Sequence, residues 1–469
     1  AEDAGSGKPI DQEEAYAPDA KKLPRAVNTV AAKMRRALGD TTPQAAQLEA
    51  AETFSSASLE ASQKYALGQE AQWNGQWNQA LDLWQQSIAI DPNLGRAYAG
   101  MAATLANMGR RQDAEHMYKL AMGKLDRMSE REKLRTRGGY FLLERNYGKA
   151  IEQFRQLTSE FPVDTAGLAN LALAYFYQRD MPAALKTGQA ALALHPGNLL
   201  QMNNVGLFAM YSSDFPLAIS ESQRLLKLNP SFEKAYVCLA LSQLASGDRA
   251  GALASYQKLS SLSPSGASEA VVGLADQALF EGRFADAARL VEAGIQSDLA
   301  SKDAAAAGKW ILSGEALLHL GRKQQAAAAA GHAASGGSDE SILYPAAMLY
   351  FETGDETKAM ALAGQLSRRF DPDSIAYSKL IAGKQLLKHG RLREAIDRFT
   401  DARKTSDTWA GRLELARAYV EAGLFTEADS ELDVLVKRKG EATAVFLNDE
   451  PSYRYFAPVY YYQGRAREG

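Results

Sequence analysis

Four prolines, Pro162, Pro196, Pro230 and Pro264, stand 34 residues apart at every step. Four alanines, Ala150, Ala184, Ala218 and Ala252, keep the same step twelve residues ahead of them. A fixed interval of this length marks an array of one supersecondary unit, because each copy can bury its apolar face only against its neighbours. The pattern extends upstream through Ala114, Tyr118 and Ala121 to Ala80, Trp84 and Pro92, with two residues inserted before Ala150. Downstream it continues through Ala287, Ala326, Ala359, Ala395 and Ala428, at steps of 35, 39, 33, 36 and 33. A glycine five residues ahead of that alanine recurs at 109, 247, 282, 321, 354, 390 and 423. Eleven copies fit, and residues 453–464 begin a twelfth.

Each copy reads as two amphipathic helices. In the first, Leu67, Gly68 and Ala71 share one face of the leading helix, while Ala80, Leu83, Trp84 and Ser87 share one face of the second. The glycine supplies the turn between them, and the proline stops the second helix. Small residues at Gly68, Ala102, Gly138, Ala172, Gly206, Ala240, Ala275 and Gly314 predict close helix approach. Trp84, Tyr118, Phe154, Tyr256 and Phe399 are large enough to fill the space left beside them.

This arrangement of large residue, Leu-Gly, alanine, aromatic, alanine and proline resembles the tetratricopeptide repeat (TPR). The resemblance runs from about residue 58 to the end, and four copies keep strict register. It implies an all-α fold: a right-handed superhelical solenoid of about eleven helix-turn-helix repeats plus capping helices. On this reading residues 58–267 hold six regular repeats, 268–442 hold five degenerate ones, and 443–469 form a truncated repeat or cap. The copy around 309–335 has an alanine run, AAAAAGHAA, and no aromatic. Its helices should still form, since alanine is the best helix former, as a drifted repeat or as a bend in the array.

Composition narrows the function. Lys and Arg number 53 against 56 Asp and Glu, a net charge of −3, which argues against a strongly basic nucleic-acid binder. One cysteine, Cys238, and five scattered histidines exclude a disulfide framework and make metal chemistry improbable. No phosphate loop, dinucleotide fingerprint, HExxH or GxSxG occurs, so neither a catalytic residue nor a cofactor is expected. Cys238, beside Leu239 and Ala240, reads as a buried structural thiol. The longest stretch free of Asp, Glu, Lys and Arg, 187–213, contains Pro196, Gln201, Asn203 and Asn204, too polar for a membrane span.

At the N-terminus, residues 1–22 are expected to be disordered or weakly held. Residues 23–57 carry a lead-in helix from Pro24, with Val27, Val30, Ala31, Met34 and Leu38 on one face and Gly39 closing it, then a linker. The opening AEDAGSGKPIDQEE has neither initiator methionine nor signal peptide, and suggests a fragment or a processed product. LPRAVNTVAAKMRRALGD, followed by SSASLEASQKYALG, looks like the junction ahead of TPR arrays in large bacterial signalling proteins, mostly serine/threonine kinases and sometimes adenylate-cyclase-like regulators. EPSYRYFAPVYYYQGRAREG is similar to the end of such arrays. That resemblance implies a regulatory repeat region. It also implies an extracytoplasmic location, because a membrane span usually separates kinase from repeats, with a cytoplasmic one as the alternative. No kinase residue can be transferred: HRD, DFG and a Gly-rich loop are absent.

In TPR proteins the first helices line a concave groove through set positions. Those positions fall on Ala166, Ala169, Leu173, Phe176 and Tyr177, then Leu200, Asn203, Leu207, Met210 and Tyr211, then Lys234, Val237, Leu241 and Leu244. The resemblance makes Leu173, Phe176, Tyr177, Asn203, Leu207, Met210, Tyr211, Lys234, Val237 and Leu241 the candidate partner-binding residues. They suit a protein or peptide segment with apolar anchors; the alternative is internal packing. The carboxylate clamp of chaperone-binding relatives is not supported, with Tyr65, Gln69, Ala99 and Ala103 at its positions. Glu315, Glu352, Lys384, Lys388 and Arg417 outline a second, polar surface. The cluster Tyr453, Tyr455, Phe456, Tyr460, Tyr461 and Tyr462 would serve self-association if the chain is an assembly subunit. A kinase whose catalytic domain lies outside this chain is the remaining alternative.

Overall fold

The computed structural model describes residues 12–18, 26, 29, 30, 33, 34, 58–301 and 306–469. The expectations for residues 1–22 and for the Pro24 helix therefore fall largely outside the described residues. Among them, Ala26, Thr29, Val30, Lys33 and Met34 are helical, and Lys33 pairs with Glu13 at 2.9 Å. The chain forms two compact units, residues 1–201 and 202–469. Every regular element among the described residues is helical.

The first unit holds four helix pairs: α1 (Leu59–Trp73) with α2 (Trp77–Ile90), α3 (Gly95–Asn107) with α4 (Arg111–Met122), α5 (Glu130–Leu143) with α6 (Tyr147–Glu160), and α7 (Thr165–Tyr177) with α8 (Met181–Leu194). The two extra residues before Ala150 are taken up by a 3₁₀ turn, Leu125–Arg127, between α4 and α5.

The second unit takes in most of α9 (Leu199–Tyr211), with α10 (Phe215–Leu228), α11 (Glu233–Ala245), α12 (Arg249–Ser260), α13 (Pro264–Phe280) and α14 (Phe284–Ser301). It continues with α15 (Ala306–His319), α16 (Lys323–Gly336), α17 (Glu340–Thr353), α18 (Glu356–Ser367), α19 (Pro372–Lys388), α20 (Leu392–Thr405), α21 (Trp409–Glu421) and α22 (Phe425–Lys437). A short α23 (Lys439–Ala442), a 3₁₀ turn (Tyr453–Phe456) and α24 (Ala457–Glu468) follow. Pairs α1/α2 to α21/α22 number eleven, one for each copy read from the period.

Packing follows the small-to-large pairing. A Cβ on Gly68 would lie 3.1 Å from the Trp84 ring, and one on Gly138 would lie 2.6 Å from Phe154. Trp84, Phe154, Tyr256 and Phe399 are essentially fully buried. The Trp84 indole N–H donates to Thr104 Oγ1 at 3.0 Å, so its one polar atom is satisfied. The alanine-rich copy forms regular helices as expected, with Ala326, Ala329, Ala330 and Ala333 buried in α16.

Two details depart from the sequence reading. Pro264 does not stop a helix but opens the next: Ser263 caps α13 by accepting from Gly266 N, with Pro264 in the first turn. The turn residue five ahead of the alanine is left-handed in all eleven copies. Glycine fills it at 75, 109, 247, 282, 321, 354, 390 and 423, but Arg145, Arg179 and Ser213 hold it with φ of 57°, 67° and 65°. A left-handed side-chain residue costs about 1–2 kcal/mol. At Ser213 the side chain has a compensating use.

Candidate partner-binding surfaces

In the first unit, α7 presents Ala166, Ala169, Leu173 and Tyr177 half-buried, while Phe176 is buried. Tyr177 stacks on Tyr147 of α6, centroids 5.4 Å apart and planes 15° apart, and lies edge-on to Phe176. The helix start is fixed by Asp164, whose carboxylate accepts from Gly167 N at 2.7 Å. Arg131 and Arg135, both from α5, each donate to the same carboxylate at 2.7 Å. Burial pushes the Asp164 carboxyl up, but the two guanidiniums outweigh it and hold the group below the ordinary carboxylate value. Leu173 and Tyr177 therefore stand on a helix whose position is locked by a buried ionic cap.

The second unit treats the corresponding positions of its leading helices differently. Beyond α22 the chain turns inward and residues 438–456 run as a strap across the leading helices. Gly440 lies so close to the end of α9 that a Cβ would stand 2.1 Å from Met210 O and 2.6 Å from Tyr211 O. Its N–H donates to Ser213 Oγ at 2.8 Å, and that hydroxyl donates to Lys437 O at 3.2 Å. Lys439 donates to Ala245 O at 2.6 Å and sits 5.4 Å from the Phe456 ring centroid.

Farther along, the strap closes on itself: Ser452 N donates to Thr443 O at 2.9 Å and Val445 N donates to Ser452 Oγ at 2.8 Å. Phe446 packs against Tyr377 (5.2 Å) and Tyr344 (6.4 Å), and the Tyr211 hydroxyl donates to Asp449 at 3.4 Å. The strap is then clamped by Asp276 of α13, which accepts from Tyr453 N at 2.9 Å, Arg454 N at 3.2 Å and Arg454 Nη1 at 2.9 Å. Arg454 also pairs with Glu315, which accepts from the Tyr455 hydroxyl at 2.6 Å. Tyr453 packs on Phe280 at 4.8 Å and stacks on Phe456 at 5.4 Å. Burial raises the Asp276 carboxyl above its ordinary value, and Arg454 and the two amides offset only part of that.

The expected partner-binding residues thus separate. Leu173 and Tyr177 stay half-accessible in the first unit. Asn203, Leu207, Met210, Tyr211, Val237 and Leu241 are buried in the second, and Lys234 is exposed. Of the expected polar surface, Glu315 serves Arg454 and Tyr455, and Arg417 pairs with Glu414 at 2.7 Å beneath the Tyr462 ring. Lys384 lies 3.9 Å from Glu352, and Lys388 lies 3.4 Å from Glu356. The aromatic cluster divides too: Tyr453 and Phe456 are buried, while Tyr460 and Tyr461 are exposed. Sequence reasoning missed Asp276, Gly440 and Ser213. Ser213 alone left a signal, as a serine where most copies have glycine. Cys238 is fully buried, and burial pushes its thiol up to about 12, as a structural cysteine requires. Among the described residues no group of His, Cys, Asp and Glu could hold a metal ion, and no helix is long and apolar enough to cross a membrane.

The tetratricopeptide repeat family model matches residues 140–198, in the first unit, and 382–441, in the second. Both units carry tetratricopeptide repeats. No curated protein matches the chain. Similar solved structures include yeast Tom70, at 14% identity and TM-score 0.48 over 90% of this chain and 99% of that one. The APC/C hetero-tetramer Cut9–Hcn1 is similar at 13% identity and TM-score 0.37, over 87% and 96%. A tetratricopeptide repeat protein from Parabacteroides merdae follows at 17% identity and TM-score 0.36, over 62% and 98%.

Proposed function

We propose that this chain is a non-catalytic protein-interaction scaffold, the regulatory repeat region of a bacterial signalling protein. The observation that carries the reading is the α7 face, where Leu173 and Tyr177 remain half-accessible on a helix fixed by Asp164, Arg131 and Arg135. A surface already rigid before binding loses less entropy when a partner segment docks. Apolar and aromatic anchors on it suit a protein segment with apolar side chains. The signalling context rests on the lead-in and C-terminal sequence resemblances. The test immobilises the chain beside a Leu173→Glu variant of matched circular dichroism and identifies retained proteins by mass spectrometry. A partner that binds the parent directly when purified, and binds the variant at least tenfold more weakly, is the expected result. Equal binding by both would remove this surface from the function.

A second reading, an assembly subunit, is favoured by Tyr460 and Tyr461, which stand 59% and 62% exposed on α24. Light scattering that shows a dimer in the parent and a monomer in a Tyr460→Ser/Tyr461→Ser variant would support it. A monomeric parent would end it.

A further inference from the structure

The strap does not fill the second unit completely. Between it and the leading helices α11, α13, α15 and α17 remains a cavity of about 250 Å³. Its apolar lining comes from Val237, Val272, Ile311, Leu312 and Phe446. A space of this size accommodates one long side chain.

Carboxylates outnumber cations around this space. Lys234 and Arg454 line it together with Glu269, Asp449 and Glu450. Arg454 is already committed to Asp276 and Glu315; Lys234 is the cation beside Glu269 and Asp449, and Arg454 the one beside Glu450. Glu269 makes no hydrogen bond or ion pair with any described residue, and neither does Lys234. Glu269 has Lys234, Glu233, Asp449 and Glu450 as its charged neighbours; Glu450 faces Arg454, Asp339 and Asp449; Asp449 faces Lys234. Surrounding protein raises all three carboxyls above their ordinary values, while Glu269 and Glu450 stay exposed at the mouth of the cavity and Asp449 is half-buried. A second cation at hydrogen-bonding distance would relieve that cost.

We propose that this cavity receives an arginine side chain of a partner segment, its aliphatic stem on Val237, Val272 and Phe446 and its guanidinium among Glu269, Asp449 and Glu450. The proposal rests on the scaffold reading and adds a charged anchor to it. Arginine fits better than lysine because its planar fork can serve two carboxylates at once.

The test titrates the full chain with three probes: acetyl-Leu-Arg-Leu-amide, its citrulline analogue, which keeps the shape and loses the charge, and acetyl-Leu-Glu-Leu-amide. The arginine probe is expected to bind at least tenfold more tightly than either other. Glu269→Gln with Glu450→Gln should weaken it at least tenfold, while Lys234→Met should tighten it about threefold by removing the resident cation. Tightening is an outcome that general destabilisation cannot produce. Equal affinity for arginine and citrulline, no saturation by the arginine probe, or weakening by Lys234→Met would each overturn the proposal. The Leu173→Glu experiment is independent of these probes, so failure here and failure of the scaffold reading are told apart.

Discussion

The two units are built from the same repeat yet use the corresponding positions of their leading helices in opposite ways. In the first, Asp164 is held by Arg131 and Arg135 within the repeat array, and the α7 face above it stays half-accessible. In the second, Asp276 is held by Arg454 and two backbone N–H groups of the strap, and the positions around it are buried. A buried carboxylate needs a cation in both places. Where the cation comes from a neighbouring repeat, the surface remains available; where it comes from a returning strap, the surface becomes core. Repeat identity alone therefore does not say which faces bind.

The largest expected effect tests the strap clamp. Asp276→Ala leaves Arg454 with Glu315 as its remaining ionic partner and strips the Tyr453 and Arg454 N–H groups of their acceptor, and breaking a buried pair of this kind costs about 3–5 kcal/mol. Chemical denaturation should show that loss in the second unit while α1–α8 keep their stability. A loss below about 1 kcal/mol would mean that the strap is held elsewhere.

Next comes Gly440→Ala, whose Cβ would meet the backbone of Met210 and Tyr211. Overpacking of this kind costs about 1–3 kcal/mol, and thermal unfolding should register it. By contrast Gly148→Ala, where a Cβ meets nothing within 4 Å, should be neutral or slightly stabilising.

The turn residues give a finer contrast. Gly109→Ala adds no contact and changes only a φ of +75°, so it should cost about 1 kcal/mol. Ser213→Gly should be near neutral, because relief of the same backbone cost offsets the loss of two strap hydrogen bonds at about 1 kcal/mol each. A clear gain on Ser213→Gly would show that its hydroxyl contributes nothing to holding the strap.

The smallest effect is in pH. Asp164 is held below its ordinary value, so its contribution is present above about pH 4 and lost as pH falls below it. Asp276, Glu269, Asp449 and Glu450 are raised, so theirs is present below the ordinary values and lost as pH rises through the raised ones. Hydrogen exchange read region by region, corrected for intrinsic rates, should show the second unit gaining protection as pH falls from 7 toward the ordinary carboxylate values. The first unit should stay level over that range.

Much of this fold was legible. The 34-residue period fixed the number of helix pairs, and the glycine–aromatic pairs at Gly68–Trp84 and Gly138–Phe154 fixed their spacing. A repeat pattern reports contacts between adjacent copies, and those are local. The strap joins residues such as Ser213 and Gly440 that lie far apart in sequence, through a short stretch with no periodicity, so no interval announces it. Asp276 gave no warning either, since one acid among 56 looks like surface until its partner is in place. Position within the repeat accordingly names candidate residues without sorting them into covered and accessible.

The most direct test of that sorting is backbone hydrogen exchange on the full chain, followed by mass spectrometry of peptides covering 442–456. If the strap is core to the second unit, these amides exchange as slowly as those of α13 and lose protection together with them under denaturant. Exchange of 442–456 within seconds, with α13 still protected, would contradict the account and return Tyr211, whose hydroxyl the strap's Asp449 holds, to the accessible face.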